Sequence, residues 1–231
     1  MDSNLAFVTL GNLLTKWAGL REIQDEVLVL ASMVEKAIFL SVEALKKRDL
    51  ELAKQVIADD ARVNEKRFAI EGKCIQLIAT QQPMASDLRI VIYGLYIAAE
   101  LERIGDYAEG IAQVVLLIGD ELPLKPLIDI PLMADKTVDM LRRAIDAAIN
   151  QNAEAACRIV PEDDVIDSLY DQVFRELLTY MMQDPRTITR AERLIWAAHN
   201  LERAADRVTN ICELVVYAVT GKLGEIGASK Y

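Results

Sequence analysis

One six-residue motif occurs twice in this chain, and its recurrence constrains the fold more than any other feature. Residues 101–106 read LERIGD and residues 201–206 read LERAAD. Apolar residues around both copies follow the i, i+3, i+4 spacing of a single buried helical face. The matching positions are Leu101, Ile104, Gly105, Ala108, Ile111, Ala112 and Val115 in the first copy and Leu201, Ala204, Ala205, Val208, Ile211, Cys212 and Val215 in the second. A whole helix has therefore been duplicated, rather than a short string.

The duplication extends to the segments that precede each motif. Pro83 and Pro185 occupy corresponding places ahead of the two motif helices. The acidic segments 59–64 and 162–167 also align, each in the predicted middle helix of its half. The sequence therefore predicts an internal repeat of about 100 residues.

Helical spacing predicts three long amphipathic helices in each half, and no segment alternates like a strand. Connections as short as Arg48-Asp49 force consecutive helices to run antiparallel, and Asp49 is a suitable N-cap. The predicted fold is all-α, with six long antiparallel helices in two three-helix bundles related by a pseudo-twofold axis. The predicted helices cover residues 20–47, 50–82, 86–118, 132–150, 152–182 and 187–220.

Outside the two repeats, the sequence predicts an N-terminal segment, a linker and a C-terminal tail. Residues 1–19 show no sustained period and are interpreted as an N-terminal arm or a short extra helix. The linker, residues 119–131, contains three of the six prolines and separates repeat 20–118 from repeat 132–220. Residues 221–231 form a C-terminal tail.

Pro161 distinguishes the second half from the first, which has Ala58 at the matching position. Proline lacks the N–H that a helix interior needs, but it is accepted at the start of a helix. We therefore expect the middle helix of the second half to break into residues 152–160 and 162–182.

Composition narrows the classes of function. The formal net charge of -10 argues against a nucleic-acid partner, because phosphate recognition needs a basic surface. The longest apolar stretch near either motif, residues 114–118, is far shorter than the roughly 20 residues that cross a bilayer. The three cysteines lack metal-type spacing and resemble small core residues in a reducing compartment. The segment from Met1 to Trp17 lacks the basic start expected of a secretory signal. We expect a cytoplasmic protein without membrane insertion.

Each duplicated helix carries two carboxylates four residues apart. Glu102 and Asp106 stack on one side of their helix, away from the apolar face, and Glu202 and Asp206 do the same. Like charges at this spacing cost an isolated helix about 0.2 to 0.5 kcal/mol, so arginine or metal is expected to neutralise them. Exposed ion pairs with neighbouring arginines, worth about 0 to 1 kcal/mol each, are the alternative explanation.

The middle helices supply further oxygen atoms. Asp60 and Asn64 in the first half, and Asp163 and Asp167 in the second, can lie beside the acidic pair of the antiparallel third helix. Convergent carboxylate and amide oxygens without cysteine describe a site for a hard or borderline cation. Iron, manganese, magnesium and calcium fit this description, and zinc stays open.

The single histidine helps to distinguish the possible functions of the acidic residues. His199 lies one turn before Glu202 and could supply a nitrogen, but its counterpart is Ala99, so we expect it to pack or lie at the surface. A ferritin-like di-metal oxidase, the main alternative function, needs a Glu-x-x-His motif on each of two helices. A purely structural helical scaffold with solvated acids is the third interpretation, and the doubled acidic spacing argues against it.

The chain resembles the PhoU family of bacterial phosphate-signalling regulators over about residues 20–222. Family members share the layout of six helices in two repeats. The resemblance rests on residues 82–89 (QPMASDLR), 101–106, 129–133 (DIPLM), 200–203 (NLER) with Asp206, and 209–213 (TNICE).

The resemblance implies a site and a role. Family members bind metal through acidic E/D-x-x-x-D motifs, sometimes as multinuclear clusters, with iron the expected ion here. The matching positions are Asp60, Glu102, Asp106, Asp163, Asp167, Glu202 and Asp206. Because Asn64 departs from the acidic pattern, we expect the second site to bind more tightly. The resemblance also implies a non-catalytic negative regulator of phosphate homeostasis that forms a homodimer. Such a regulator bridges a phosphate ABC transporter, through its ATPase, to a sensor histidine kinase in signal transduction.

Arg103 and Arg203 are the predicted partner-binding residues. They point about 100° further round the helix than the adjacent acids, so they face a different flank. Guanidinium and aromatic groups often dominate interfaces. An internal ion pair with a neighbouring helix is the alternative. The flank comprises Arg103, Tyr107 and Gly110 in one half and Arg203, Arg207 and Asn210 in the other.

Overall fold

A computed structural model describes the backbone of residues 2–222 and the side chains of residues 18–222. Helices occupy most of this range, and no strand occurs between residues 2 and 222, so the predicted all-α class is confirmed. Short 3₁₀ turns cover Val160–Glu162 and Pro185–Thr187. The helices are α1 (Asp2–Lys47), α2 (Leu50–Gln81), α3 (Ser86–Ile118), α4 (Asp129–Ile149), α5 (Ala153–Ile159), α6 (Asp163–Gln183) and α7 (Ile188–Thr220).

The first three helices pack as an antiparallel bundle whose turns follow the sequence signals. Arg48 adopts a left-handed conformation with φ 57°, which reverses the chain between α1 and α2. Asp49 then caps α2, because its Oδ1 accepts a hydrogen bond from the Leu52 N–H at 2.9 Å. Helix α2 ends at Gln81, and its C-cap residue Gln82 is left-handed with φ 46°, immediately before Pro83. The predicted cap at Asp49 is confirmed.

Two helices begin earlier than the sequence indicated. Helix α1 begins at Asp2 rather than at Leu20, so residues 2–19, expected to form an arm or a short extra helix, are helical and continuous with α1. Helix α4 begins at Asp129 rather than at residue 132. Pro131 is compatible with that earlier start because the first turn of a helix needs no N–H from it. Most of the predicted C-terminal tail, residues 223–231, lies outside the described residues.

The break at Pro161 is confirmed. Pro161 lies in the 3₁₀ turn Val160–Glu162, which separates α5 from α6. A side chain of α4 stabilises the turn, because Arg143 Nη1 donates a hydrogen bond to Glu162 Oε1 at 2.7 Å. The break makes Asp163 the first residue of α6, which sets the position of one predicted ligand.

Helices α3 and α7 run antiparallel through the centre and join the two halves. Asn210 Nδ2 on α7 donates to Glu100 Oε2 on α3 at 3.2 Å. Further along the same contact, the Arg203 guanidinium carbon lies 5.8 Å from the centre of the Tyr107 ring. The apolar positions that the spacing assigned to the buried face, from Leu101 to Val115 on α3 and from Leu201 to Val215 on α7, are buried as predicted. Between residues 2 and 222, no helix combines the length and apolarity that a bilayer span requires.

Candidate metal centre

Four acids on α2 and α3 form the first cluster, which we define as Asp60, Glu102, Asp106 and Glu109. Asp60, Asp106 and Glu109 each place one carboxylate oxygen within 4.8 Å of the others. Glu102 is close enough for its charge to raise the pKa of Asp106. Hard cations take carboxylate oxygens as ligands, so this donor set fits such an ion.

Local packing on α3 brings Asp60 into the first cluster. A Cβ atom added to Gly105 would lie 3.1 Å from Val63 Cγ1 and 3.6 Å from Asp60 Oδ1. Glycine at this position therefore lets α2 approach α3 closely. A groove lined by Met33, Val63 and Glu109 provides an entry path to Asp60.

The two oxygens of Asp60 have different environments. Asn64 Nδ2 donates to Asp60 Oδ2 at 2.8 Å. Asp60 Oδ1 is buried, and no hydrogen-bond donor within the described part of the chain reaches it. A buried polar atom left without a partner costs about 1 to 3 kcal/mol. A cation ligated by Oδ1 would offset that cost.

Four acids on α6 and α7 form the second cluster, which we define as Asp163, Asp167, Glu202 and Asp206. Asp163 Oδ1 and Glu202 Oε2 are buried, and they accept no hydrogen bond from any described residue. Asp60 and Asp163 occupy aligned positions of the two repeats, so the same unpartnered oxygen recurs. In residues 18–222, only the first cluster brings three such ligand oxygens within 4.8 Å of one another.

Burial and mutual repulsion raise the pKa of several cluster acids. Burial is the larger cause and neighbouring carboxylates add to it, so the pKa of Asp106 rises to about 6. The same two causes raise the pKa of Asp163 to about 7 and that of Glu202 to about 7. An adjacent positive charge favours the ionised form of a carboxyl group. A bound cation would therefore displace the protons that these acids hold.

His199 lies at one end of the second cluster. Its Nδ1 is 3.2 Å from Glu202 Oε2, and its ring centre is 5.8 Å from that of Tyr170. Burial lowers the pKa of His199 and the positive charge of Arg203 lowers it further, which favours a neutral imidazole at neutral pH. The sequence predicted a packing or surface role, and the structure adds contact with a cluster carboxylate.

Glu109 is the cluster residue that the sequence comparison missed. Its counterpart is Thr209, whose hydroxyl donates to the Asp206 carbonyl at 2.8 Å, so the duplication did not mark this position. The available signal was helical spacing, because Glu109 lies three residues after Asp106 and seven after Glu102. Both clusters therefore contain four carboxylates. The number of carboxylates does not by itself favour tighter metal binding at the second site.

The structure separates the two predicted partner-binding arginines. Arg103 is exposed. Arg203 lies across the α3–α7 contact, with its guanidinium over Tyr107 and its Nε 3.9 Å from Asp206 Oδ2. Arg103 is therefore the freer of the two to meet another protein.

Much of the predicted flank is internal. Arg207 Nη1 lies 3.6 Å from Glu100 Oε2, the oxygen that also accepts from Asn210. A Cβ atom added to Gly110 would lie 3.1 Å from Asn200 Oδ1. For these residues the flank is the contact between the two halves, which corrects its interpretation as an exposed surface.

Comparisons with known proteins agree with the repeat. The PhoU domain family matches residues 27–115 and 130–215. A phosphate-specific transport system accessory protein PhoU homolog from Aquifex aeolicus is 39% identical over 205 residues, which are 88% of this chain and 92% of the relative. The phosphate-specific transport system accessory protein PhoU of Escherichia coli is 37% identical over 205 residues, which are 89% of this chain and 85% of the relative.

Two crystal structures share the fold. PhoU from Pseudomonas aeruginosa superposes with a TM-score of 0.84 and 35% identity, covering 89% of this chain and 99% of its own. The phosphate transport system regulatory protein PhoU from Streptococcus pneumoniae gives a TM-score of 0.84 and 31% identity, covering 90% of this chain and 99% of its own.

Proposed function

This chain belongs to the PhoU family, and on that premise we propose that it is a non-catalytic accessory protein of a phosphate transport system. It acts as a negative regulator of phosphate uptake and of phosphate-starvation signalling. The names of its relatives support the first statement, since they are described as phosphate-specific transport system accessory proteins.

The regulator binds metal ions in its two acidic clusters. The observation that carries this proposal is the recurrence of a buried, unpartnered carboxylate oxygen at Asp60 and at Asp163, which align in the two repeats. Iron is the expected ion, and zinc, manganese, magnesium and calcium are the alternatives. A bound cation would offset the repulsion between the acids, so it would hold α2 against α3 and α6 against α7.

The protein acts in the cytoplasm as an adaptor between the ATPase of a phosphate ABC transporter and a phosphate-sensing histidine kinase. It functions as a homodimer. The exposed Arg103 supports a docking role on the first repeat, since arginine is frequent among the residues that dominate interfaces.

The geometry of the acids supports a regulatory role over a di-metal oxidase. Ferritin-like oxidases project their carboxylates into the bundle interior together with two histidines. Here Asp106 is exposed and Glu102 is partly exposed, while the buried face of α3 is apolar. The first cluster therefore lies in an outer groove between α2 and α3.

Deletion of the gene tests the regulatory proposal. Cells without the protein are expected to express phosphate-starvation genes in phosphate-rich medium, and the intact gene should restore repression. A gene carrying Glu65→Gln is the matched control, because Glu65 is an exposed acid of α2 outside the first cluster. An unaltered response in the deletion strain, or oxidase turnover by the iron-loaded protein, would contradict the proposal.

A further inference from the structure

The two clusters are extended at opposite ends by different chemical groups. In the first half, Glu109 adds a carboxylate one turn beyond the duplicated acidic pair, where the second half has Thr209. In the second half, His199 adds an imidazole one turn before that pair, where the first half has Ala99. The clusters therefore have the same number of carboxylates but different donor atoms.

The position of the imidazole fits a shared ion. His199 Nδ1 and Glu202 Oε2 are 3.2 Å apart, yet they form no hydrogen bond with each other. Neighbouring donors of one ion lie about 3 to 3.4 Å apart when metal–ligand bonds are about 2.0 to 2.2 Å long. The separation of these two atoms therefore suits two ligands of the same ion.

The residues opposite the imidazole differ between the halves. The Tyr170 ring lies 5.8 Å from the His199 ring, while 47% of the histidine side chain stays exposed. The matching residue of α2 is Arg67, which stacks over Phe68 and lies 3.7 Å from Glu71. The exposed histidine therefore has an aromatic neighbour in the second half that the first half does not repeat.

We propose that His199 is a nitrogen ligand of the second cluster and gives that cluster a preference for zinc over manganese. The first cluster, which has only oxygen donors, discriminates less strongly between the two ions. Imidazole suits zinc and iron, whereas carboxylate and carbonyl oxygens suit manganese, magnesium and calcium. The inference rests on the proposed binding of metal by the acidic clusters.

The histidine itself provides the first test, because it is the only one in the sequence. In nitrogen-15-labelled protein without a histidine tag, the ring signals seen by NMR belong to His199 alone. Addition of one equivalent of Zn²⁺ is expected to shift the signal of Nδ1. Ring signals that stay unchanged while Zn²⁺ binds to the second cluster would overturn the assignment.

Exchange of the donor atom provides the second test. In a chain whose first cluster is silenced by Glu102→Gln and Asp106→Asn, His199→Gln replaces nitrogen with oxygen. We expect its Zn²⁺ affinity to fall at least tenfold, roughly the size of ligand-shell effects. Its Mn²⁺ affinity should stay within about threefold, because oxygen donors suit that ion. Competitive dialysis with elemental analysis measures both affinities.

The reciprocal variant uses the first cluster. Ala99→His, in a chain silenced by Glu202→Gln and Asp206→Asn, is expected to raise the affinity for Zn²⁺ relative to Mn²⁺. A Zn²⁺ to Mn²⁺ ratio that His199→Gln leaves unchanged would overturn this inference while metal binding stands. Absence of bound metal from both clusters of the unaltered protein would overturn the proposed metal function as well. Circular dichroism checks that each variant is folded.

Discussion

Replacement of one cluster acid is expected to stabilise the metal-free protein while it weakens metal binding. Asp163→Asn keeps the shape of the side chain and removes its charge. The pKa of Asp163 rises from 3.8 to about 7 on folding, with burial as the larger cause and Asp167 as the next. A shift of that size corresponds to an upper limit of about 4 kcal/mol.

Two effects reduce this limit. The side chain is only partly buried, so solvent screening lowers the benefit to about 2 kcal/mol. Asp163 is also the first residue of α6, where loss of a negative charge costs about 0.3 to 1 kcal/mol. The expected net gain for Asp163→Asn is therefore about 1 to 2 kcal/mol at pH 8 in the presence of a chelator.

The pH dependence distinguishes this cause from a general improvement in packing. Because the pKa of Asp163 is raised in the folded state, the folded protein holds a proton between about pH 4 and 7 that the unfolded chain releases. Stability of the metal-free protein should therefore fall as the pH rises through this window. The asparagine variant should lose part of that slope and should match the unaltered protein near pH 4.

Urea unfolding at pH 4, 6 and 8, with chelator and with metal, measures the effect. Glu65→Gln again serves as the control, because it removes a charge outside both clusters. The unaltered protein should gain more stability from metal than Asp163→Asn does. A variant that is less stable than the unaltered protein at pH 8 in chelator would refute the argument from charge repulsion.

Three further predictions concern single features. The double variant Glu202→Ala with Asp206→Ala is expected to bind less metal and to lose most of the rise in thermal midpoint that metal produces at the second cluster. Unchanged values in elemental analysis and calorimetry would contradict this. Asn64→Asp, which adds a carboxylate to the first cluster, should tighten metal binding roughly tenfold in competition titrations, and weaker binding would contradict it. Arg103→Ala should weaken binding to the kinase or the transporter ATPase while the free energy of unfolding stays within about 1 kcal/mol. Arg203→Ala should also lower the free energy of unfolding, and equal effects of the two variants on folding would contradict this difference between the arginines.

Features that depend on neighbours along the chain could be predicted from the sequence. The buried faces of α3 and α7 follow from apolar spacing, the start of α2 follows from Asp49, and the break before α6 follows from Pro161. Each is decided by residues within a few turns, where helical geometry is regular. The second copy of the motif then indicated that the acidic pairs on α3 and α7 are equivalent.

Features that depend on contact between distant helices could not be predicted. The proximity of His199 Nδ1 to Glu202 Oε2 depends on how α6 and α7 pack and on the orientation of both side chains. The contact of Arg203 with Tyr107 depends on α3 and α7 lying side by side, which no local pattern encodes. Glu109 was missed for another reason, because comparison of the halves finds only what both retain.

The central pair of helices connects the two clusters. Helix α3 is a wall of the first cluster, α7 is a wall of the second, and each packs against the other through contacts such as Asn210 with Glu100. An ion that shifts α3 towards α2 therefore changes the surface against which α7 rests. The affinity of one cluster should then depend on the occupancy of the other, and linkage requires the effect to be equal in both directions. If both clusters bind ions, the chain would combine two ion concentrations into one conformational response.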